Sequence, residues 1–64
     1  MKRLPNFVRI GRIVKVIYNN VDGFESEVDG EIIGITNLGL LVASDDIGKE
    51  YDIAIKSIKA IQVI

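Results

Sequence analysis

Apolar residues recur at every second position over most of this chain. In residues 7–18, Val8, Ile10, Val14, Val16 and Tyr18 fall on one face, with Arg9 and Lys15 on the other. A period of two belongs to a strand whose side chains alternate between two faces. Gly11 sits inside this run and predicts a bend or bulge that lets one long strand serve two sides of a closed sheet. Two Val-Asp-Gly triplets follow, ending at Gly23 and Gly30. The first, preceded by Asn19-Asn20, predicts a hairpin turn, because Asp-Gly tolerates positive φ. At the second, a glycine bulge inside one bent strand over 24–36 is preferred to another tight turn. That choice decides which of Ile32 and Ile33 points inward. Asn37-Leu38-Gly39 turns the chain into a strand over 40–43, and 44–49 form a polar loop. Residues 50–55 alternate again through Tyr51, Ile53 and Ile55. Lys56-Ser57 interrupts as one turn of 3₁₀ helix, and 58–64 close the chain. No 11-residue window carries a helical stripe. The pattern predicts an all-β fold, a small five-stranded barrel.

Composition supports strands and limits what they enclose. Thirty-one of 64 residues are apolar, and isoleucine, valine and threonine alone supply 20. These branched side chains favour pleated strands, and the content is too apolar for a disordered chain. The length fits a single domain over 1–64 with no linker, and such a domain buries only about 60% of its unfolded surface. There is no cysteine and no histidine, hence neither disulfide nor ordinary zinc site to reinforce it. The longest uncharged stretch, 32–44, is broken by glycine and too short to span a bilayer. Lys2 and Arg3 lead into Leu4-Pro5-Asn6 rather than an apolar run, so no signal peptide is expected and the expected location is cytoplasmic.

A net charge of −1 hides an asymmetry. Lys2, Arg3, Arg9, Arg12 and Lys15 place five positive and no negative charges in the first 15 residues, whereas all nine acids fall within 16–55. One reading is cross-strand pairing, with Lys15 roughly opposite Glu27 and Arg12 near Glu31. Exposed pairs of that kind contribute about 0.2–1 kcal/mol each and help to fix register. The other is a basic strip of Lys2, Arg3, Arg9 and Arg12 that touches phosphate.

Catalysis finds little to work with. Without histidine or cysteine there is no imidazole base and no thiol nucleophile. Ser26, Ser44 and Ser57 have no evident activating partner. Asp45, Asp46 and Glu50 lack the alternating spacing of a calcium loop. Glu25 and Glu27 share a strand face but nothing sets them in a cleft. The glycines at 30, 34 and 39 precede no helix that would cradle phosphate. The expectation is a non-enzyme with no cofactor and no metal. Phe7, Phe24, Tyr18 and Tyr51 are the only aromatics; Tyr18, Phe24 and Tyr51 are expected in the core rather than as stacking platforms for bases.

The surplus of apolar residues is the most informative feature. Ile13 and Ile17 oppose the Val14, Val16 and Tyr18 face, and the tail alternates Ile61 and Val63 with Ala60 and Ile64. A small interior cannot hold them all, and an exposed apolar patch marks an interface. Ile13, Ile17, Ile61 and Val63 are therefore expected to form a homo-oligomer interface, with β-edge pairing by the first or last strand.

Two family resemblances follow from longer stretches. Ile-Gly-Arg-Ile-Val-Lys-Val from Ile10, and Gly-Glu-Ile-Ile-Gly-Ile-Thr-Asn-Leu-Gly-Leu-Leu-Val from Gly30, resemble the small SH3-like domain at the C-terminus of biotin protein ligases. That resemblance covers about half the chain. It implies an SH3-like barrel used for packing and interaction, since no ligase catalytic domain is present. Thr36 stands where that family usually opens its turn with aspartate. Gly30-Glu31-Ile32, Leu40-Leu41-Val42 and the stretch from Ile53 to Ile58 are similar to Sm-like proteins, whose barrels assemble edge to edge into rings and bind RNA. Here Thr36 and Gly39 replace the expected aspartate and asparagine, and no opening helix precedes Pro5. The resemblance therefore implies ring-forming architecture but transfers no RNA-site residue. The two resemblances together imply a self-associating barrel that binds a macromolecular partner, protein or nucleic acid, and no membrane.

Overall fold

The computed structural model describes residues 3–44 and 46–64. Five antiparallel strands form one sheet: β1 (Ile13–Asn19), β2 (Glu25–Ile35), β3 (Gly39–Ser44), β4 (Glu50–Ala54) and β5 (Ile58–Val63), in the order β4-β3-β2-β1-β5. A 3₁₀ turn, Ile55–Ser57, joins β4 to β5. The chain measures 26 × 26 × 18 Å. The expected all-β class is present, as are one continuous strand where 24–36 was expected, here Glu25–Ile35, and the 3₁₀ turn.

Burial shows how so small a sheet makes a core. Val14 and Val16 on β1, Ile32 on β2, and Leu40 and Val42 on β3 are 0% exposed; Val28, Ile53, Ile58 and Ile61 join them. Paired residues share a face: Val16 lies between Val28 and Ile61, Ile32 faces Val42, and Leu40 faces Ile53. No helical layer covers this inner face, so the sheet curls over it. Leu4, Phe7, Tyr18 and Tyr51 pack around its margin.

β2 is the strand on which the curl turns. Its first part pairs with β1, its second with β3, and Gly30 faces Val14 on one side and Ser44 on the other. Gly30 is not a bulge. It keeps register and has no positive φ; a side chain there would overlap the carbonyl of Ala43. The ladder shifts instead between Ile32 and Gly34. The alternation of Val28, Gly30 and Ile32 ahead of that shift carries Ile32 inward and leaves Ile33 partly exposed, which answers the question left open by the sequence.

The first strand is shorter than its pattern. Residues 6–11 form turns, β1 begins at Ile13, and Gly11 has φ +92°. Glycine alone takes that conformation without strain. The reversal leaves Val8 in the core but Ile10 outside. The chain still returns to the sheet there: the Gly11 amide donates to the Ile32 carbonyl and the Ile32 amide to the Arg12 carbonyl.

The hairpin tip joining β1 to β2 is organised by Asn20. Its Oδ1 accepts from the amides of Asp22 and Phe24 at 3.0 and 3.1 Å, its Nδ2 donates to Ser26 Oγ, and Gly23 takes φ +84°. Such local side-chain bonds stand in for backbone turn bonds. Asn20→Ala is expected to cost about 1 kcal/mol, read as a lower urea midpoint with an unchanged denaturant slope.

Candidate interaction surfaces

The outermost strands β4 and β5, one outer face and one groove are the features from which function can be built. On the outer face Ile13 and Ile17 of β1 are half-buried, and the Ile64 amide donates to the Ile13 carbonyl, setting Ile64 beside them. Ile64 is largely exposed and Val63 is 49% exposed. Ile61 belongs elsewhere. It is only 8% exposed and sits opposite Val16 in the core, because the alternation of β5 turns Ile61 inward and Ala60 and Gln62 outward. Of the four residues expected at an interface, Ile13, Ile17 and Val63 retain accessible surface. Sequence inspection missed Ile64, which continues the outward parity of β5.

Arg3, Arg9 and Arg12 are exposed on the segment that precedes β1, and Lys2 lies outside the described residues. Lys15 faces Asp29 in register and pairs diagonally with Glu27 at 3.6 Å. Lys59 pairs with Glu25 at 2.9 Å. The expected Arg12–Glu31 pair is absent among the described residues, since Ile13 is the residue that faces Glu31. Both pairs that do form are half-exposed and fix register more than they stabilise.

The aromatics divide. Tyr18 and Tyr51 pack on the core margin as expected, but Phe24 is 71% exposed. It falls in the hairpin tip, one residue before β2 begins, where Ser26 rather than Phe24 lies opposite Tyr18.

A groove of about 570 Å³ runs between β4 and the end of β1, with Tyr18, Val21, Tyr51, Ile53 and Ala54 in its walls. The Lys49 ammonium lies 5.2 Å from the centre of the Tyr51 ring, within cation–π range. Beside it, a second hollow is lined by Lys15, Glu27, Asp29, Ser44 and Asp46. Among the described residues no three acidic groups gather as a metal site, and Asp45 lies outside them. No helix among them is long and apolar enough to cross a membrane.

Comparison of the chain with protein-family models, curated proteins and solved structures returns no match. The functional reading therefore stands on geometry.

Proposed function

We propose that this chain is a non-catalytic SH3-like barrel that self-associates and binds a macromolecular partner. The observation that carries the reading is the accessible apolar surface of Ile13, Ile17 and Ile64, on an outer face that also carries Lys15 and Gln62, with Val63 half-exposed at the end of the inner face. A core of ten buried hydrophobic residues among those described is small, and association stabilises such a domain by mass action. The curled sheet with one long strand shared by both halves supports a barrel. Light scattering over a hundredfold concentration range tests the association. The expected result is a mass of two or more chains, falling to one chain in the double variant Ile13→Lys/Ile17→Lys while its circular dichroism stays that of strands. A native chain that remains monomeric throughout overturns the self-association.

A second reading, an Sm-like nucleic-acid binder, is favoured by one observation. Arg3, Arg9 and Arg12 are exposed and have no carboxylate partner among the described residues. It requires affinity for single-stranded RNA that falls steeply with salt, and absence of binding at low salt ends it.

A further inference from the structure

The outer edge of β4 is met by no other strand among the described residues. The Ser44 amide donates to the Lys49 carbonyl, and the Ile55 amide to the Leu38 carbonyl. Bonded pairs alternate along an antiparallel ladder, and the β3–β4 register is unbroken between these two points. The backbone groups of Glu50, Asp52 and Ala54 therefore point away from β3, where no strand meets them. Natural edges are guarded by lysine, proline or a bulge. β4, which directly follows Lys49, contains no lysine, proline or bulge and is guarded only by the acids Glu50 and Asp52, whereas β5, at the other edge, carries Lys59.

Side chains along this edge have a consistent chemistry. Glu50 and Asp52 are exposed and form no ion pair among the described residues. Tyr51 and Ile53 point the other way and border the largely apolar groove whose far wall is Tyr18 and Val21, with Lys49 and Asp52 also at its lining. A strand laid on β4 would place alternate residues against two carboxylates and the residues between them into an apolar hollow.

We propose that β4 receives an extended segment of a partner protein as a sixth strand. Its alternate residues are cationic opposite Glu50 and Asp52, and apolar toward the Tyr18–Tyr51 groove. Backbone hydrogen bonds supply affinity and the alternation supplies specificity, as in other strand additions. This rests on the partner-binding half of the proposed function and is independent of self-association.

The test is a nuclear magnetic resonance titration of the isotope-labelled full chain with acetyl-Lys-Val-Lys-Val-Lys-Val-amide. Two control peptides replace every lysine by glutamate, or methylate the backbone amides of alternate residues. The amides of Glu50, Asp52 and Ala54 are expected to shift, and each control to bind about tenfold more weakly or worse. Asp52→Lys is expected to weaken the lysine peptide and favour the glutamate one. If that variant fails to fold, the methylated peptide on the unaltered chain decides. Shifts confined to other residues, or equal binding of all peptides, overturn the proposal. So does protection of the three amides from exchange before any peptide is added, which would mean a second copy already occupies the edge. Light scattering on the same samples reads self-association separately, so loss of one reading is distinguishable from loss of the other.

Discussion

Replacing Gly30 by alanine is expected to remove most of the stability of the folded chain. A Cβ at this position would occupy the space of the Ala43 carbonyl, with the Ser44 Cα also at 3.0 Å. The obstacle is backbone on the neighbouring strand, so no rotamer change relieves it. Either β3 moves outward and opens the ladder, or the curl of the sheet relaxes. Overpacking of this kind costs about 3 kcal/mol or more. A chain of this length has roughly 3–10 kcal/mol in total. Gly34→Ala is the control. Its new methyl would meet only the side chain of Leu41, at 3.2 Å, and a cost of about 1 kcal/mol is expected. Urea denaturation of both variants checks the pair. An unchanged midpoint for Gly30→Ala would show that the strands do not approach there.

Truncating Ile32 to alanine is expected to cost about 3 kcal/mol, whereas Ile33→Ala costs under about 1 kcal/mol. Ile32 is 0% exposed at the centre of the core and faces Val42. Its removal leaves a cavity enclosed by strands that are already hydrogen-bonded on both sides. Ile33 occupies the shifted position in the ladder and reaches solvent. The contrast between two adjacent isoleucines makes the measurement sensitive to register. Equal losses, or a larger loss at Ile33, would place the shift elsewhere in β2.

What could be read from the chain without coordinates was its local chemistry. Alternation at Val14, Val16 and Tyr18 defined the inner face of β1, and Asn20 with Gly23 marked the hairpin. Lys15 and Glu27 pair as their charges suggest, but on the diagonal, because Asp29 and not Glu27 faces Lys15 in register. What escaped depends on partners distant in sequence. Gly30 reads as a bulge until Ala43 is seen to occupy its side-chain space. Ile61 reads as a surface residue until β5 is docked on β1, which sets its parity against Val16. Phe24 reads as a core residue until the five residues that join β1 to β2 are seen to hold it in the hairpin tip, with Ser26 opposite Tyr18. The groove beside β4 is likewise non-local, since Tyr18 and Tyr51 meet only through the curl of the sheet. Val8 and Ile10 continued the alternation so well that only the positive φ at Gly11 shows where β1 starts.

The strand order also dictates a sequence of events in folding. β1–β2, β2–β3 and β3–β4 each join neighbours along the chain, and only β1–β5 brings distant segments together. Hairpins form within microseconds, and closing a long loop is slower and entropically dearer. Three hairpins can therefore assemble while β1 still has one unpaired side, with Val14 and Val16 short of the cover that Ile61 and its neighbours supply. Docking of Ile58–Val63 is thus the step that both completes the sheet and closes the core.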